Sequence, residues 1–169
     1  MIKKCFVFDF DDTLATTTAK ILVWGIRPSG LGGQSLVGEL TPAEFSSYDL
    51  KDDEEFDFSQ FRDDKFIQDA SPTWLMSLAE EVDREGHDIY ILTAREDDSA
   101  DAIAEFLSGF NVHPKMIHCV GGTKNSIPKR KHDILMMLIN NYDKTYFYDD
   151  CSVNIEYAPS EKNFRKYQV

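Results

Sequence analysis

Three carboxylates lie within four positions near the N-terminus, directly after an apolar run. The run at residues 6–8 has the aromatic and β-branched composition of a buried strand, and it is followed by Asp9, Asp11 and Asp12. Acids at the end of a buried strand repel one another and lose hydration, which makes their charged forms costly. We therefore expect a cation to compensate them. The alternative is an acidic strand-to-loop turn without such a role.

The rest of the chain alternates between predicted strands and predicted helices. Apolar runs predict strands at residues 88–93, 116–120 and 145–150, and apolar residues at helical spacing predict helices at about 71–86, 100–107 and 126–139. We expect Ser71 to cap the first of these helices, with Trp74 on its apolar face. Strands that alternate with such helices form βαβ units, so the predicted fold is α/β with a central parallel sheet and right-handed crossovers.

Residues 15–70 interrupt this alternation. Two apolar pieces, residues 19–24 and 35–37, flank a segment rich in glycine and proline and predict a β-hairpin. A capping-box pattern that starts at Thr41 predicts a short helix after it. We interpret the acidic run at residues 49–58 as a solvated loop and not as a calcium site, because the spacing of an EF-hand is missing.

The chain length suits one domain, residues 1–169, with a single core and an insertion. The core would comprise residues 1–14 and 71–169. Residues 15–70 would form a small cap, a β-hairpin flap that stands over the end of the first strand. The modestly basic tail from Ser160 is expected to be peripheral.

The composition limits the partners and the compartment. A formal net charge of −12 argues against a surface built for unaided binding to nucleic acid or anionic lipid, although a local basic groove stays open. Three widely spaced cysteines, Cys5, Cys119 and Cys151, indicate reduced thiols. We find no signal-peptide segment and no long apolar stretch, so a cytoplasmic location and no contact with membranes are expected.

The carboxyl ends of parallel strands meet at one edge of the sheet, where open α/β sheets bind their ligands. This edge would bring together Asp9 with Asp11, the hydroxyl of Thr93, and Asp149 with Asp150. Four carboxylates with lysines nearby suit a hard cation held by oxygen ligands, which favours Mg²⁺ completed by phosphate and water. The sequence therefore predicts a magnesium and phosphate site at this edge.

These features resemble the haloacid dehalogenase-like (HAD) hydrolase superfamily over nearly the whole chain outside the insertion. The segment from Asp9 to Thr13 matches the first motif of that family, Asp-x-Asp-x-Thr, and the strand that ends at Thr93 matches the second. Asp149 and Asp150, with Asn154 after them, match the acidic fourth motif. The resemblance implies a three-layer, Rossmann-like HAD fold around the parallel sheet.

The resemblance also implies a role for each site residue. Asp9 would be the nucleophile that forms an aspartyl-phosphate, and Asp11 would be the general acid and then the base. Mg²⁺ would be bound by Asp9, by the backbone carbonyl of Asp11 and by Asp149, with Asp150 acting through water or orienting a ligand. Thr93 would donate a hydrogen bond to a phosphate oxygen. The dehalogenase branch lacks the second acid, so Asp11 favours phosphoryl chemistry.

The third motif of the family, a phosphate-binding lysine, has more than one candidate in this chain. Lys131 stands four residues before a core leucine at the start of a predicted helix, as the family lysine usually does. Lys129 is the alternative, and Lys124 fits a loop residue better. Each of these lysines could equally be a solvated surface residue.

Arg95 follows the strand-end threonine by two residues and could clamp a phosphate through two hydrogen bonds. This region resembles the phosphatase domain of phage-type polynucleotide kinases, and the compact chain resembles small phage-type HAD phosphatases. The alternative is an arginine at the start of a helix that pairs with Glu96 or Asp97.

The predicted function is a Mg²⁺-dependent phosphomonoesterase that acts on a nucleotide or another small phosphomonoester. One alternative is a polynucleotide 3′-phosphatase that acts on a nucleic-acid 3′ end, although the insertion carries few basic residues for a polynucleotide groove. A second alternative is a catalytically silent HAD domain that serves as a binding module. The intact pair of Asp9 and Asp11 argues against the silent domain.

Overall fold

The computed structural model of the protein describes residues 2–26 and 33–169. Within these ranges the strands are β1 (Lys4–Phe8), β2 (Ala15–Thr16), β3 (Ile21–Gly25), β4 (Ser35–Leu40), β5 (Glu54–Asp57), β6 (Ser71–Pro72), β7 (Asp88–Thr93), β8 (Met116–Cys119), β9 (Lys144–Asp149) and β10 (Phe164–Gln168). The α-helices are α1 (Pro42–Ser47), α2 (Asp64–Gln68), α3 (Leu75–Arg84), α4 (Ala100–Ser108), α5 (Ile127–Ile139) and α6 (Ser152–Tyr157). Among these described helices, none combines the length and the apolar character needed to cross a membrane.

Five strands form a parallel sheet in the order β10-β9-β1-β7-β8. The prediction of an α/β protein with a central parallel sheet is therefore confirmed, and the arrangement is compatible with a Rossmann-like fold. The first apolar run supplies β1, which lies in the middle of the sheet between β7 and β9. A strand covered on both faces has to be apolar on both, and β1 meets that demand.

Helices cover both faces of this sheet. Alternate side chains of a strand point to opposite faces, so neighbouring residues of β1 enter different clusters. Phe8 packs in the cluster that contains Leu75 of α3 and Leu107 of α4. Val7 packs in the cluster that contains Leu135 of α5. The result is a three-layer arrangement with the sheet in the middle.

The insertion forms a second sheet of three antiparallel strands in the order β4-β3-β5. β3 and β4 pair as predicted, and the turn predicted between them includes residues 27–32, which lie outside the described residues. The predicted capping box at the start of α1 is confirmed. The Thr41 side chain accepts a hydrogen bond from the Glu44 amide, and the Glu44 side chain accepts one from the Thr41 amide.

The prediction of a solvated loop for the acidic run at residues 49–58 is wrong in part. A portion of this run forms β5, which pairs with β3 and places Phe56 opposite Val23. The Phe56 ring also packs against the rings of Phe45 and Phe58. Burial of aromatic rings here outweighs the low strand propensity of the surrounding acids.

The predicted start of the first core helix at Ser71 is also wrong. Ser71 and Pro72 form β6, which pairs with β2 and joins the two ends of the insertion. The helix α3 begins at Leu75, whose amide donates to the Thr73 hydroxyl. Trp74 is 72% exposed, so it does not belong to the buried face of the helix.

The basic tail, which was expected to be peripheral, supplies β10 of the central sheet. β10 pairs in parallel with β9, and Phe164 is buried where its ring stacks on Phe147. Two consecutive basic residues, Arg165 and Lys166, interrupt the apolar pattern of this short segment and hide its strand character. The tail therefore contributes to the core.

Candidate active site

The carboxyl ends of β1 and β9 bring together acids from opposite ends of the chain. Asp9 follows β1, and its amide donates to the carbonyl of Tyr148 at 2.9 Å. Asp149 ends β9 and is completely buried. Together with Asp150, these two acids form a group of three carboxylates whose ligand atoms all lie within 4.8 Å of one another. The parallel pairing of β1 with β9 produces this group.

Lys131 lies between two of these acids. It stands near the start of α5, is 2% exposed, and donates through Nζ to Asp9 Oδ1 at 2.9 Å and to Asp149 Oδ2 at 2.8 Å. Lys129 instead forms an exposed ion pair with Asp133 at 2.8 Å on the surface of the same helix. Of the two candidate lysines, the structure brings Lys131 to the acids.

Burial and charge act in opposite directions on this cluster. Burial raises the pKa of Asp9 well above its ordinary value, and the charge of Lys131 lowers it again in part. For Lys131, burial alone would lower the pKa, but the charges and hydrogen bonds of Asp149 and Asp9 outweigh it, so the pKa is raised. The lysine is therefore held as an ammonium, which stabilises the ionised acids around it.

Asp149 is oriented by two further groups. The backbone amide of Cys151 donates to its Oδ1 at 2.9 Å. The Asn154 side chain on α6 donates to both of its oxygens, at 3.2 and 3.1 Å. These bonds fix the plane of the carboxylate and place Asn154, which the sequence identified only as a motif match, in contact with the acid cluster.

Thr13 connects the first acidic segment to the last. The amide of Asp150 donates to the Thr13 hydroxyl at 3.2 Å, and the hydroxyl lies 3.5 Å from Asp150 Oδ1. Burial, followed by the charge of Asp149, raises the pKa of Asp150 to about 6. The sequence placed Thr13 in a motif but gave it no contact, because a bond across 137 residues depends on the folded sheet.

Arg95 binds Asp11 instead of facing an open phosphate site. Its Nε donates to Asp11 Oδ2 at 2.9 Å and its NH2 to Asp11 Oδ1 at 2.8 Å, so both carboxylate oxygens are held. The third nitrogen, NH1, donates to the Phe61 carbonyl in the insertion at 2.8 Å. The pair of hydrogen bonds predicted for Arg95 thus forms with a carboxylate, that of Asp11. The alternative partners, Glu96 and Asp97, do not form this pair of bonds with Arg95. Phosphate binding by Arg95 stays a prediction.

Thr93 lies at the carboxyl end of β7, as predicted, and is completely buried. Its hydroxyl accepts a hydrogen bond from the Arg95 amide at 3.2 Å. This bond uses the oxygen as an acceptor. A hydrogen bond from Thr93 to a phosphate oxygen therefore stays a prediction.

The donor set of the acid cluster fits a hard divalent cation. With Mg²⁺ bound, three ionised carboxylates and the ammonium of Lys131 would carry two formal negative charges, which the cation would balance with oxygen ligands. Asp11 was predicted as a further ligand residue through its backbone carbonyl; its carboxylate is not part of this group and is held by Arg95. Ligation by the backbone carbonyl of Asp11 stays a prediction. Asp9, Asp149 and Asp150 are the residues that could hold the metal.

A cavity of about 390 Å³ lies over these acids. Asp9, Asp11, Lys131 and Asp150 line it on the side of the central sheet. Side chains from the insertion line it on the other side, among them Phe45 and Phe61. A small molecule in this cavity would therefore touch the acid cluster and the insertion together.

No family model matches this sequence, and neither does any of the curated proteins.

Proposed function

We propose that this protein is a Mg²⁺-dependent phosphomonoesterase of the HAD superfamily that acts through an aspartyl-phosphate intermediate. The observation that carries the proposal is the division of the strand-end acids into two sets. Asp9 lies with Lys131 in the group that could hold the metal, whereas Asp11 is bound separately by Arg95. This division suits a reaction in which one acid attacks phosphorus and the other transfers protons.

Asp9 is the nucleophile of the proposed reaction. The ammonium of Lys131 holds Oδ1, which orients the carboxylate, and Oδ2 forms a bond to phosphorus as the bond to the leaving oxygen breaks. Mg²⁺, when bound by Asp9, Asp149 and Asp150, supplies positive charge that offsets the charges of the carboxylate and the phosphate. The charge of Lys131 lowers the pKa of Asp9 against the larger effect of burial, which favours the ionised carboxylate that a nucleophile has to be.

Asp11 is the proton donor and acceptor. It protonates the leaving oxygen in the first step and takes a proton from the attacking water in the second, which releases phosphate and regenerates Asp9. Both Asp11 oxygens accept hydrogen bonds from Arg95, so one of these bonds has to open during proton transfer. The bond from Arg95 to the Phe61 carbonyl holds the guanidinium in position while this happens.

We also propose that the insertion serves as the cap of this site. Its three-stranded sheet leads into a short 3-10 helix over Ser59–Arg62, and that helix supplies the carbonyl that Arg95 binds. Thr17, near the start of the insertion, contacts Phe66 near its end, because the Thr17 hydroxyl donates to the Phe66 carbonyl at 3.2 Å. A cap of this size leaves room for a nucleotide or another small phosphomonoester.

Release of inorganic phosphate from a panel of phosphomonoesters, measured with Mg²⁺ and with a chelator, tests the proposal. We expect release to require Mg²⁺ and to be abolished by Asp9→Asn. Asp12→Asn is a matched control, because it makes the same change nearby at a turn residue with φ of 57°, a conformation that asparagine tolerates. The control should retain activity.

Two outcomes would count against the proposal. An absence of release from every ester of the panel, oligonucleotides with a 3′-phosphate included, would favour a silent binding module. Release that persists in the Asp9→Asn variant would exclude Asp9 as the nucleophile. Efficient release from oligonucleotides alone would keep the chemistry and change the substrate to a nucleic-acid end.

A further inference from the structure

The walls of the cavity over the acids are largely apolar and aromatic. The insertion contributes Ile21, Pro42, Phe45, Phe58 and Phe61, and the core contributes Ile127, Pro128, Val153 and Tyr157. The charged groups Asp9, Asp11 and Lys131 form its floor. One end of the cavity is thus suited to an anion with a metal, and the rest is suited to an apolar, flat group.

The aromatic rings of the insertion are held in place by one another. Phe45 and Phe58 meet edge to face, with ring centroids 5.5 Å apart and an interplanar angle of 89°. Phe56 supports both from behind, at 5.0 Å from Phe45 and 5.9 Å from Phe58. Because Phe45 lies on the capped helix α1 and Phe56 on β5, the rings are fixed before any ligand binds. Little conformational entropy would be lost on binding.

Two polar contacts from residues that line the cavity hold the insertion against the core. Arg95 NH1 donates to the Phe61 carbonyl at 2.8 Å, and Lys124 Nζ donates to the Tyr48 carbonyl at 3.2 Å. Arg95 and Lys124 both line the cavity, whose volume is about 390 Å³. That volume lies at the lower end of small-molecule sites, which span about 300–1,000 Å³.

The cations of the cavity do not form a track for a polyanion. Lys131, Arg95 and Lys124 each bind protein groups, and Arg62 is the remaining cation among the described lining residues. A polynucleotide that runs past the site would need basic groups for its successive phosphates. The described lining instead offers a neutral aromatic wall.

We propose that the cavity binds a phosphomonoester whose leaving group carries one planar aromatic ring and has the size of a nucleoside. The ring lies against Phe45 and Phe58, and the phosphate reaches Asp9 and Lys131 at the floor of the same cavity. As a substrate assignment, this inference rests on the proposed function. As a statement about binding, it can be tested without turnover.

A nucleoside monophosphate and the ribose phosphate esterified at the same hydroxyl form a matched pair, because they differ only in the base. Stacking of a base on an aromatic side chain strengthens binding by about tenfold to a hundredfold. We expect kcat/KM to favour the nucleotide by such a factor. Phe58→Leu removes the flat ring but keeps apolar packing, so it should lower kcat/KM for the nucleotide more than for ribose phosphate and thereby erase the preference. Phe58→Tyr should restore the preference.

Phe110→Leu is the control for a general loss of packing. Phe110 packs against Phe106 of α4 and does not line the cavity. We expect it to leave the preference intact. Equal kcat/KM values for the two esters, or an equal loss for both in Phe58→Leu, would overturn the inference. A higher kcat/KM for an oligonucleotide that carries a terminal phosphate would also overturn it.

Binding to the Asp9→Asn variant separates this inference from the proposed function. Titration calorimetry with the two esters should show the same tenfold or greater preference without turnover. That preference, found together with an absence of phosphate release by the wild-type protein, would uphold the binding site and contradict the enzyme. Phosphate release without any preference in binding would uphold the enzyme and overturn the aromatic site.

Discussion

Replacement of Lys131 by methionine tests the charge balance on which the site depends. The ammonium of Lys131 lies 2.9 Å from Asp9 and 2.8 Å from Asp149, and all three residues are buried. Methionine has a similar length but no charge, so two buried carboxylates would lose their shared partner. Removal of one member of a buried ion pair costs about 3–5 kcal/mol. We expect the free energy of unfolding of the metal-free protein to fall by this amount.

Lys129→Met is the matched control on the same helix. Both members of its ion pair are exposed: the Lys129 side chain is 66% exposed and the Asp133 side chain is 59% exposed. Exposed pairs contribute about 0–1 kcal/mol, so this variant should lose less than about 1 kcal/mol. Urea denaturation in the presence of a chelator, followed by circular dichroism, measures both variants under the same conditions.

Mg²⁺ should stabilise the Lys131→Met variant more than the wild type, because the bound cation no longer shares the carboxylates with an ammonium. A cation present at about 100 times its Kd adds about 2.7 kcal/mol to the free energy of unfolding. Lys131→Met would then recover much of its loss, while Lys129→Met would respond as the wild type does. Equal stability losses for the two variants, or no added response of Lys131→Met to Mg²⁺, would refute this reasoning.

Two further substitutions and two measurements on the cysteine thiols test other parts of the structure. Arg95→Lys keeps the charge but loses the two-bond grip on Asp11, so kcat should fall about ten- to hundredfold in steady-state kinetics with little change in KM. Burial raises the pKa of the Cys5 and Cys119 thiols to about 11 each, so alkylation of these two thiols in the folded protein should stay slow at neutral pH. The same shifts stabilise the neutral thiols in the fold, so the free energy of unfolding should decrease as the pH rises from about 9 to 11. Phe164→Ala should cost about 3–5 kcal/mol in urea denaturation, because it leaves a cavity between β10 and β9.

Each of these predictions has a control or an outcome that would contradict it. An unchanged kcat in Arg95→Lys would contradict the positioning of Asp11 by the guanidinium. Cys5 and Cys119 should react rapidly once the protein is denatured. Rapid alkylation of these two thiols in the folded protein would show that they are accessible. Tyr167→Ala removes a ring that is 42% exposed on the same strand as Phe164, so it should cost about 1 kcal/mol or less.

Parts of the fold that depend on long apolar runs could be predicted from the sequence. The runs that became β1 and β7 are apolar at successive positions, which is typical of parallel strands buried on both faces. Alternation of strands with helices then implied that their carboxyl ends meet, and Asp9 and Asp149 do meet there. Here the local pattern and the topology agree.

The strands β5 and β10 could not be predicted because their stability comes from contacts distant in the sequence. Glu54–Asp57 contains three acids and one aromatic residue, which locally favours a loop, and the strand forms only because β3 lies beside it. β10 has one buried residue, Phe164, among polar ones. Neither segment carries enough apolar periodicity to be recognised alone.

The partners of the site residues were harder to predict than their positions. The sequence placed Arg95 just after the end of β7, but the choice of Asp11 as its partner depends on β1 lying next to β7. The other contact of Arg95 is a backbone carbonyl, that of Phe61, which no side-chain pattern reveals. The sequence favoured Lys131 over Lys129 because of its place before a core leucine, but its contacts with Asp9 and Asp149 depend on how α5 packs beside the acids.

Detection of a phosphoryl group on Asp9 tests the central claim most directly. An aryl phosphate with a good leaving group is mixed with the protein and Mg²⁺, the reaction is stopped rapidly with acid, and the peptides are mapped by mass spectrometry. In Asp11→Asn the first step needs no general acid with this substrate, whereas the second step lacks its base, so phosphorylated Asp9 should accumulate. Phosphate release without a phosphorylated Asp9 peptide in either protein, or a phosphoryl group on another residue, would contradict the claim.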